Sequence, residues 1–276
     1  MTTSDVAVLV VSYNVREALC RALASIPKEA HAVVVDNASS DGTVAHVRAH
    51  FPHVTVSAQA DNLGFSQAIN RAARLTQAPY LLLLNPDAWL MPHTLPALKR
   101  SLDAHHAHSG AWAVGPRQVD DDNRLQLSVG PKPTFLGEAC RRLVQRRLDQ
   151  PGSLGAALTR SALDHWGHKP RQVPWVAGSA IMIRREHFER IGGFDPHFFL
   201  YFEDIDFCLR IARAGGSVIY DPTITVGHSR GVSAHGAQSL AQRAYRDSQQ
   251  YFASRHQGRV LAPLMRAWAA YRRGAP

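Results

Sequence analysis

Between Ala78 and Trp89 an unbroken apolar run, Tyr80-Leu81-Leu82-Leu83-Leu84, stops at Asn85-Pro86-Asp87. Such a run, with no alternation of apolar and polar positions, predicts a strand buried on both faces, as in the middle of a parallel sheet. Pro86 has no backbone donor and a fixed φ, so it ends the ladder and fixes how its polar neighbours are presented. In open α/β sheets ligands bind beyond the carboxyl ends of the strands, and an acid at Asp87 would face that crevice. Asn-Pro-Asp is also ordinary turn chemistry, and on this stretch alone a turn is the simpler reading.

The pattern repeats. Val6 to Val11 is a second apolar run, broken by Ser12-Tyr13-Asn14 and followed by a helical pattern from Val15 to Ser25. Ala32 to Val35 is a third, ending in Asp36-Asn37, with a helix starting near Thr43 that Ser40 or Asp41 could cap. Val54 to Ser57 reads as a short strand and Asn62 to Thr76 as a helix. Alternating strands and helices with short connections predict an α/β fold, a mainly parallel central sheet flanked by helices. From Arg117 to Gln172 the pattern weakens, with arginines at 141, 142, 146 and 147 on a possible short helix. Long irregular stretches are usually functional or disordered, so 117–172 reads either as an acceptor-side insertion or as disorder. Trp175 to Ile183 reads as a strand, Glu186 to Ile191 as a short helix, Asp204 to Ala214 as a helix, and Ser217 to Tyr220 as a strand. Val226-Gly227-His228 follows a further strand.

At 276 residues and 45% hydrophobic, the chain suits one domain with appendages. Here that domain is 1–232, with 233–276 as a helical extension. Cys20, Cys140 and Cys208 are widely spaced, which predicts neither a disulfide framework nor a zinc site and fits a reducing, cytoplasmic setting. The N-terminus has no basic flank before its apolar run, so neither a signal peptide nor a spanning helix is expected. A formal charge of +9 favours anionic partners such as nucleotides, pyrophosphates, acidic membrane surfaces or nucleic acid. From Arg255 onward there are five arginines and no acid, and Val260, Leu261, Leu264, Met265, Trp268 and Tyr271 mark one helical face. That is a membrane-surface pattern, although an aromatic face also suits a helix packed on the domain.

If the sheet is parallel, Ser12-Tyr13-Asn14, Asp36-Asn37 and Asn85-Pro86-Asp87 open onto one crevice. A nucleobase could lie against Tyr13 with Asp36 accepting from its N–H. Gly64, after Asn62-Leu63, allows close backbone approach, and the following helix would offer its positive end to phosphate. No GxGxxG or GxxxxGK[ST] is present, which removes most support for dinucleotide and P-loop readings. Glu203, Asp204 and Asp206 begin a helix behind the aromatic stretch from Phe198 to Phe202. They read either as first-turn charge or as desolvated acids, one of them able to serve as a general base. A lone His228 is more often structural, but beside Asp87 it could complete a divalent-metal site.

In order along the chain, these segments, with Asn62-Leu63-Gly64-Phe65 through Asn70, Trp175-Val176-Ala177-Gly178, Gly192-Gly193-Phe194-Asp195 and Gly227-His228, resemble the inverting family 2 glycosyltransferases of the GT-A fold, most closely a rhamnosyltransferase-like branch. The resemblance covers about residues 5 to 230. It implies a donor side of Ser12, Tyr13, Asn14, Asp36, Asn37, Asn62, Gly64, Asn70, Asn85 and Asp87, with Asp36 reading the base. It implies Asp204 as catalytic base, Glu203, Trp175 and Gly178 on the acceptor side, and Asp87 and His228 as ligands of Mg²⁺ or Mn²⁺. Asn85 stands where the family has the first acid of an Asp-x-Asp motif, so a weaker metal dependence is implied. The implied donor is a dTDP- or UDP-sugar, such as dTDP-rhamnose or a UDP-hexose. The basic surface and tail suit a glycan or polyprenyl-diphosphate-linked acceptor at the inner membrane face in polysaccharide synthesis, and no nucleic acid is expected. The competing readings are a sugar-phosphate nucleotidyltransferase, against which stands the lack of a Gly-rich basic loop after the first strand, a non-catalytic sugar-nucleotide or glycan-binding module, and, from charge alone, nucleic-acid binding.

Overall fold

The computed structural model describes residues 4–131, 135–148, 153, 155, 158–159, 168–229 and 238–256. Strands β1 (Val6–Ser12), β2 (His31–Asp36), β3 (Thr55–Ala58) and β4 (Tyr80–Leu84) alternate with helices α1 (Arg16–Ser25), α2 (Thr43–His50) and α3 (Gly64–Arg74). There follow β5 (Ala88–Leu90), α4 (Thr94–Ser109), β6 (Ala111–Val119), β7 (Leu125–Gln126), α5 (Phe135–Leu148), β8 (Arg171–Val173), β9 (Ala180–Arg184) and α6 (Arg185–Arg190). The last elements are α7 (Glu203–Arg213), β10 (Ser217–His228) and α8 (Gln238–His256).

The sheet runs β3-β2-β1-β4-β9-β6-β10-β5, with β7 on β6 and β8 on β10. The first four strands are parallel, and β9 enters antiparallel between β4 and β6. Burial on both faces follows from the continuous runs. Val6, Val8, Val10, Leu82 and Leu84 pack on the face that carries α1 and α4. Ala7, Leu9, Leu81 and Leu83 pack on the opposite face, against α3, α6 and α7. Each of these valines and leucines contributes about 1.5–3 kcal/mol by leaving water, so Leu83→Ala should cost about 2–5 kcal/mol.

Two expectations are corrected. The strand expected over Trp175–Ile183 begins only at Ala180, because Val176 bridges to Val129 and the Ala177 N–H donates to the Ser128 carbonyl instead of continuing the ladder. The separate strands expected at 217–220 and before 226 form one strand, β10, with a register shift between Asp221 and Thr225. Pro222 cannot donate there, and the Asp221 carboxylate holds the bend by accepting from the Thr223 N–H and hydroxyl at 3.0 and 2.6 Å.

Helix α8, in the segment expected to form a C-terminal extension, packs on the preceding elements. In α8, the Ser248 hydroxyl donates to the Leu200 carbonyl at 2.8 Å and the Tyr251 hydroxyl to Asp195 at 2.9 Å. His256 Nε2 lies 2.7 Å from Asp206, which Arg210 also holds at 2.6 Å. The expected basic amphipathic helix over 259–273 lies outside the described residues.

Candidate active site

The site lies where the parallel strands end. Ser12 pairs with Asp36 across β1 and β2, and β4 ends at the same level. The Asn85 N–H donates to the Ser179 carbonyl, and β10 returns antiparallel to β5 with His228 opposite Ala88. This brings His228 Nε2 to 3.4 Å from Asp87 Oδ1, both groups largely buried. Gln126 on β7 orients the imidazole: its Oε1 lies 3.0 Å from His228 Nδ1, and its Nε2 donates to the His228 carbonyl at 2.7 Å. An amide oxygen only accepts, so Nδ1 carries a proton and Nε2, which holds the lone pair in the neutral ring, is turned toward the carboxylate. A lone pair facing a carboxylate is the donor set of a cation site, and a hydrogen bond to the far nitrogen is the usual way a ligating imidazole is fixed. A Mg²⁺- or Mn²⁺-type ion fits two protein ligands here, because such ions take their remaining positions from water and substrate phosphates.

Two cavities meet at this edge, and Phe65, Asn85 and Leu200 line both. The larger, of about 260 Å³, is bounded by Trp175, Gly178, Tyr201, Glu203, Asp204 and His228. Asp204 stands at its wall, with one carboxylate oxygen accepting from the Gly178 N–H at 2.9 Å and the other from the Ile205 N–H at 2.8 Å. Gly178 is needed there, since a Cβ would approach Asp204 Cβ to 3.2 Å. Trp175 is fixed by its indole N–H donating to the Pro131 carbonyl at 2.9 Å. Glu203 is buried, and burial together with the neighbouring Asp204 charge pushes its carboxyl well above the usual range. Burial, Glu203 and Asp87 likewise raise the Tyr201 phenol. Tyr201 and Phe202 both adopt left-handed backbone, with φ 71° and 67°. This conformation costs a non-glycine residue about 1–3 kcal/mol. Tyr245 of α8 packs on both rings at 5.6 and 5.3 Å, so the segment that aims Asp204 is strained and braced from outside.

The smaller cavity, of about 120 Å³, is lined by Tyr13, Asn37, Asn62, Gly64 and Asn85 among others. The other expected donor residues are held by hydrogen bonds within the chain. Asp36 is 1% exposed, and its carboxylate accepts from the Ser39 N–H and hydroxyl at 2.9 and 2.6 Å. Ser12 is fully buried, with its carbonyl accepting from the Asn37 N–H. Asn14, at φ 52°, accepts from the Ser40 N–H and donates its own N–H to Ser39, tying the β1–α1 turn to the loop after β2. Asn37 Nδ2 donates to the Gly64 carbonyl. The start of α3, expected to face phosphate, is already engaged. Its Gly64 N–H donates to Asn62 and its Phe65 N–H to the Phe199 carbonyl. Gly64, at φ 75°, is required by that approach, since a Cβ would lie 2.6 Å from the Phe199 oxygen. Asn70 does not join the crevice: its amide pairs with both the Phe194 N–H and carbonyl at 2.8 Å. Sequence reasoning missed Gln126, Ser179 and Tyr245. None carries a local signal, because each reaches the site from a segment that pairs or packs only in three dimensions.

A crevice at the ends of the parallel strands, with a carboxylate held at the wall of the adjoining cavity, is set in a GT-A fold, which solved glycosyltransferase structures share. GalNAc-T7 with UDP, GalNAc and Mn²⁺ superposes with a TM-score of 0.57 at 18% identity, covering 91% of this chain and 50% of that one. The mannosyltransferase PcManGT from Pyrobaculum calidifontis, in complex with GDP-Man and Mn²⁺, gives 0.55 at 19% identity, covering 98% and 82%. The chain belongs to glycosyl transferase family 2, whose model matches residues 7–192, and the glycosyl transferase family group 2 model matches 162–271. It is 29% identical over 278 aligned positions to the N-acetylglucosaminyl-diphospho-decaprenol L-rhamnosyltransferase of Mycobacterium tuberculosis (strain ATCC 25618 / H37Rv), covering 95% of this chain and 88% of that protein.

Proposed function

We propose that this glycosyltransferase moves a sugar, rhamnose or another hexose, from a dTDP- or UDP-linked donor to a hydroxyl of a glycan carried on polyprenyl diphosphate, with inversion at the anomeric carbon. The observation that carries the reading is the placement of Asp204 at the wall of the 260 Å³ cavity, beside Asn85 and His228 of the cation side. The likeness to the mycobacterial rhamnosyltransferase supports the sugar and the acceptor class. Among the described residues no helix is long and apolar enough to cross a membrane. The +9 charge favours meeting such an acceptor at an anionic bilayer surface.

In this mechanism the acceptor lies against Trp175, and its hydroxyl gives its proton to Asp204 as the oxygen attacks from the face opposite the leaving diphosphate. The Gly178 and Ile205 N–H groups hold the carboxylate in its working orientation. General-base catalysis of this kind contributes about 10²–10⁴-fold. Asp87 and His228 would hold a divalent cation, which when bound supplies positive charge to the departing diphosphate. Asn85 binds sugar or phosphate oxygens through its amide without adding charge. The test is to incubate the protein with dTDP-rhamnose and UDP-hexoses, each with N-acetylglucosaminyl-diphospho-polyprenol, and to read the product's anomeric configuration by NMR. Transfer with configuration opposite to the donor's is expected. Retained configuration, or nucleotide binding without transfer from any donor, would overturn the proposal.

A further inference from the structure

The opposite edge of the sheet holds a second cluster of ligating side chains. Because β9 runs antiparallel to β4, Ala180 lies at the crevice end and Arg184 beside Tyr80 at the far end, about 13 Å away along the strand. There α6 begins with Arg185-Glu186-His187, and the last turn of α4 brings in His106. One ligating atom from each of His106, Glu186 and His187 lies within 4.8 Å of the other two.

The nitrogens are prepared for an ion. His187 is 8% exposed, and its Nε2 is buried with no hydrogen-bond partner. Glu186 Oε1 stands 3.7 Å from that nitrogen, beyond hydrogen-bonding distance. The His187 ring is fixed flat on Trp112, with centroids 4.3 Å apart and planes at 3°. His106 Nδ1 lies 2.9 Å from the Ala111 carbonyl, which can only accept. Nδ1 therefore carries a proton and Nε2 is the nitrogen that holds the lone pair in the neutral ring, with the backbone carbonyl setting the ring as it does for many ligating histidines. The facing charges are Glu186, Arg184, which pairs with Asp103 and lies 3.7 Å from Glu186, and Arg190, placed over the Trp112 ring. The two arginines oppose any cation, so an ion held here must gain its binding from the ligand bonds themselves. Two imidazoles with a carboxylate suit an ion that bonds well to nitrogen.

We propose that His106, Glu186 and His187 form a site for a borderline transition-metal ion of the Zn²⁺ class, distinct from the cation site at Asp87 and His228. Such an ion would tie the end of α4 to the junction of β9 and α6 and leave one coordination position open. The test is calorimetric Zn²⁺ titration of the chelator-stripped full chain in excess Mg²⁺, with Co²⁺ absorption as a second readout. His106 is the residue to replace, being partly exposed, whereas removing His187 would open a gap beside Trp112. His106→Ala is expected to weaken Zn²⁺ binding at least tenfold and to remove the Zn²⁺-dependent rise in Tm, with Glu186→Gln weakening it less. His228→Ala, and His50→Ala in the stacked His46–His50 pair of α2, should leave the site intact. No Zn²⁺ binding by the unaltered chain, or equal binding by His106→Ala, would overturn the proposal.

Discussion

Gly178→Ala asks whether the position of Asp204 matters as the geometry requires. The added Cβ would stand 3.2 Å from Asp204 Cβ and 3.6 Å from Oδ2. Carbon atoms rest at about 3.5–4.0 Å, so the pair must part by roughly 0.3–0.8 Å, about half an ångström. The backbone of Asp204 has little room to yield. It follows Tyr201 and Phe202, already in left-handed conformation and packed under Tyr245. The carboxylate should therefore turn away and lengthen its 2.9 Å bond to the Gly178 N–H. Since about 1 Å of misplacement can cost 10²-fold in rate, half of that corresponds to roughly tenfold in kcat. The donor KM should not change, because Gly178 does not line the smaller cavity. Initial rates across donor and acceptor concentrations, with a thermal unfolding curve for each protein, make the measurement. A kcat within twofold of the parent, or a loss carried by donor KM, would refute the reasoning.

Gln126→Ala removes the partner of His228 Nδ1, so the Mg²⁺ or Mn²⁺ concentration for half-maximal activity should rise about 10–100-fold, as a metal titration would show. Glu203 is raised by burial and by Asp204. The unfolded chain therefore loses this proton first, and stability falls as pH rises from the ordinary value of 4.5 toward the folded one. Glu203→Gln should thus be more stable than the parent by about 1 kcal/mol at neutral pH, with the gain vanishing below pH 4.5 in urea unfolding. Asp206 behaves oppositely. Burial opposes its ionisation, but His256 and Arg210 hold it below the ordinary 3.8, so its contribution is present above that value and lost as pH falls through the lower folded one. Gly227→Ala would drive a Cβ into the Trp89 indole and should lower stability by about 1–3 kcal/mol or more, read as a fall in Tm with little soluble protein.

Much of the fold is legible because it depends on continuous burial. The runs at Val6–Val11, Ala32–Val35 and Tyr80–Leu84 are strands buried on both faces, and their polar ends reach one edge. Glu203 and Asp204 are legible for a similar reason, since acids set among aromatics at a helix start are placed by local pattern. What sequence leaves open is pairing. Nothing in Ala180–Arg184 says that it enters antiparallel between β4 and β6, or that Thr94–Ser109 and Ala111–Val119 supply the helix and strand beside it. Asp36 and Asn70 sit at the expected places along the chain, but the backbone groups that hold them, Ser39 for Asp36 and Phe194 for Asn70, are not written in their local pattern. Gln126 falls in the stretch read as an insertion, and only the pairing of β7 with β6 carries it to His228.

The most direct measurement compares Asp204→Asn with the parent in single-turnover sugar transfer, with donor-nucleotide binding followed by calorimetry on the same samples. An amide keeps the shape and one acceptor but cannot take the hydroxyl proton. The account predicts transfer slowed by about 10²–10⁴-fold with nucleotide affinity unchanged. Transfer at the parent rate, or affinity lost in step with activity, would contradict Asp204 as the base.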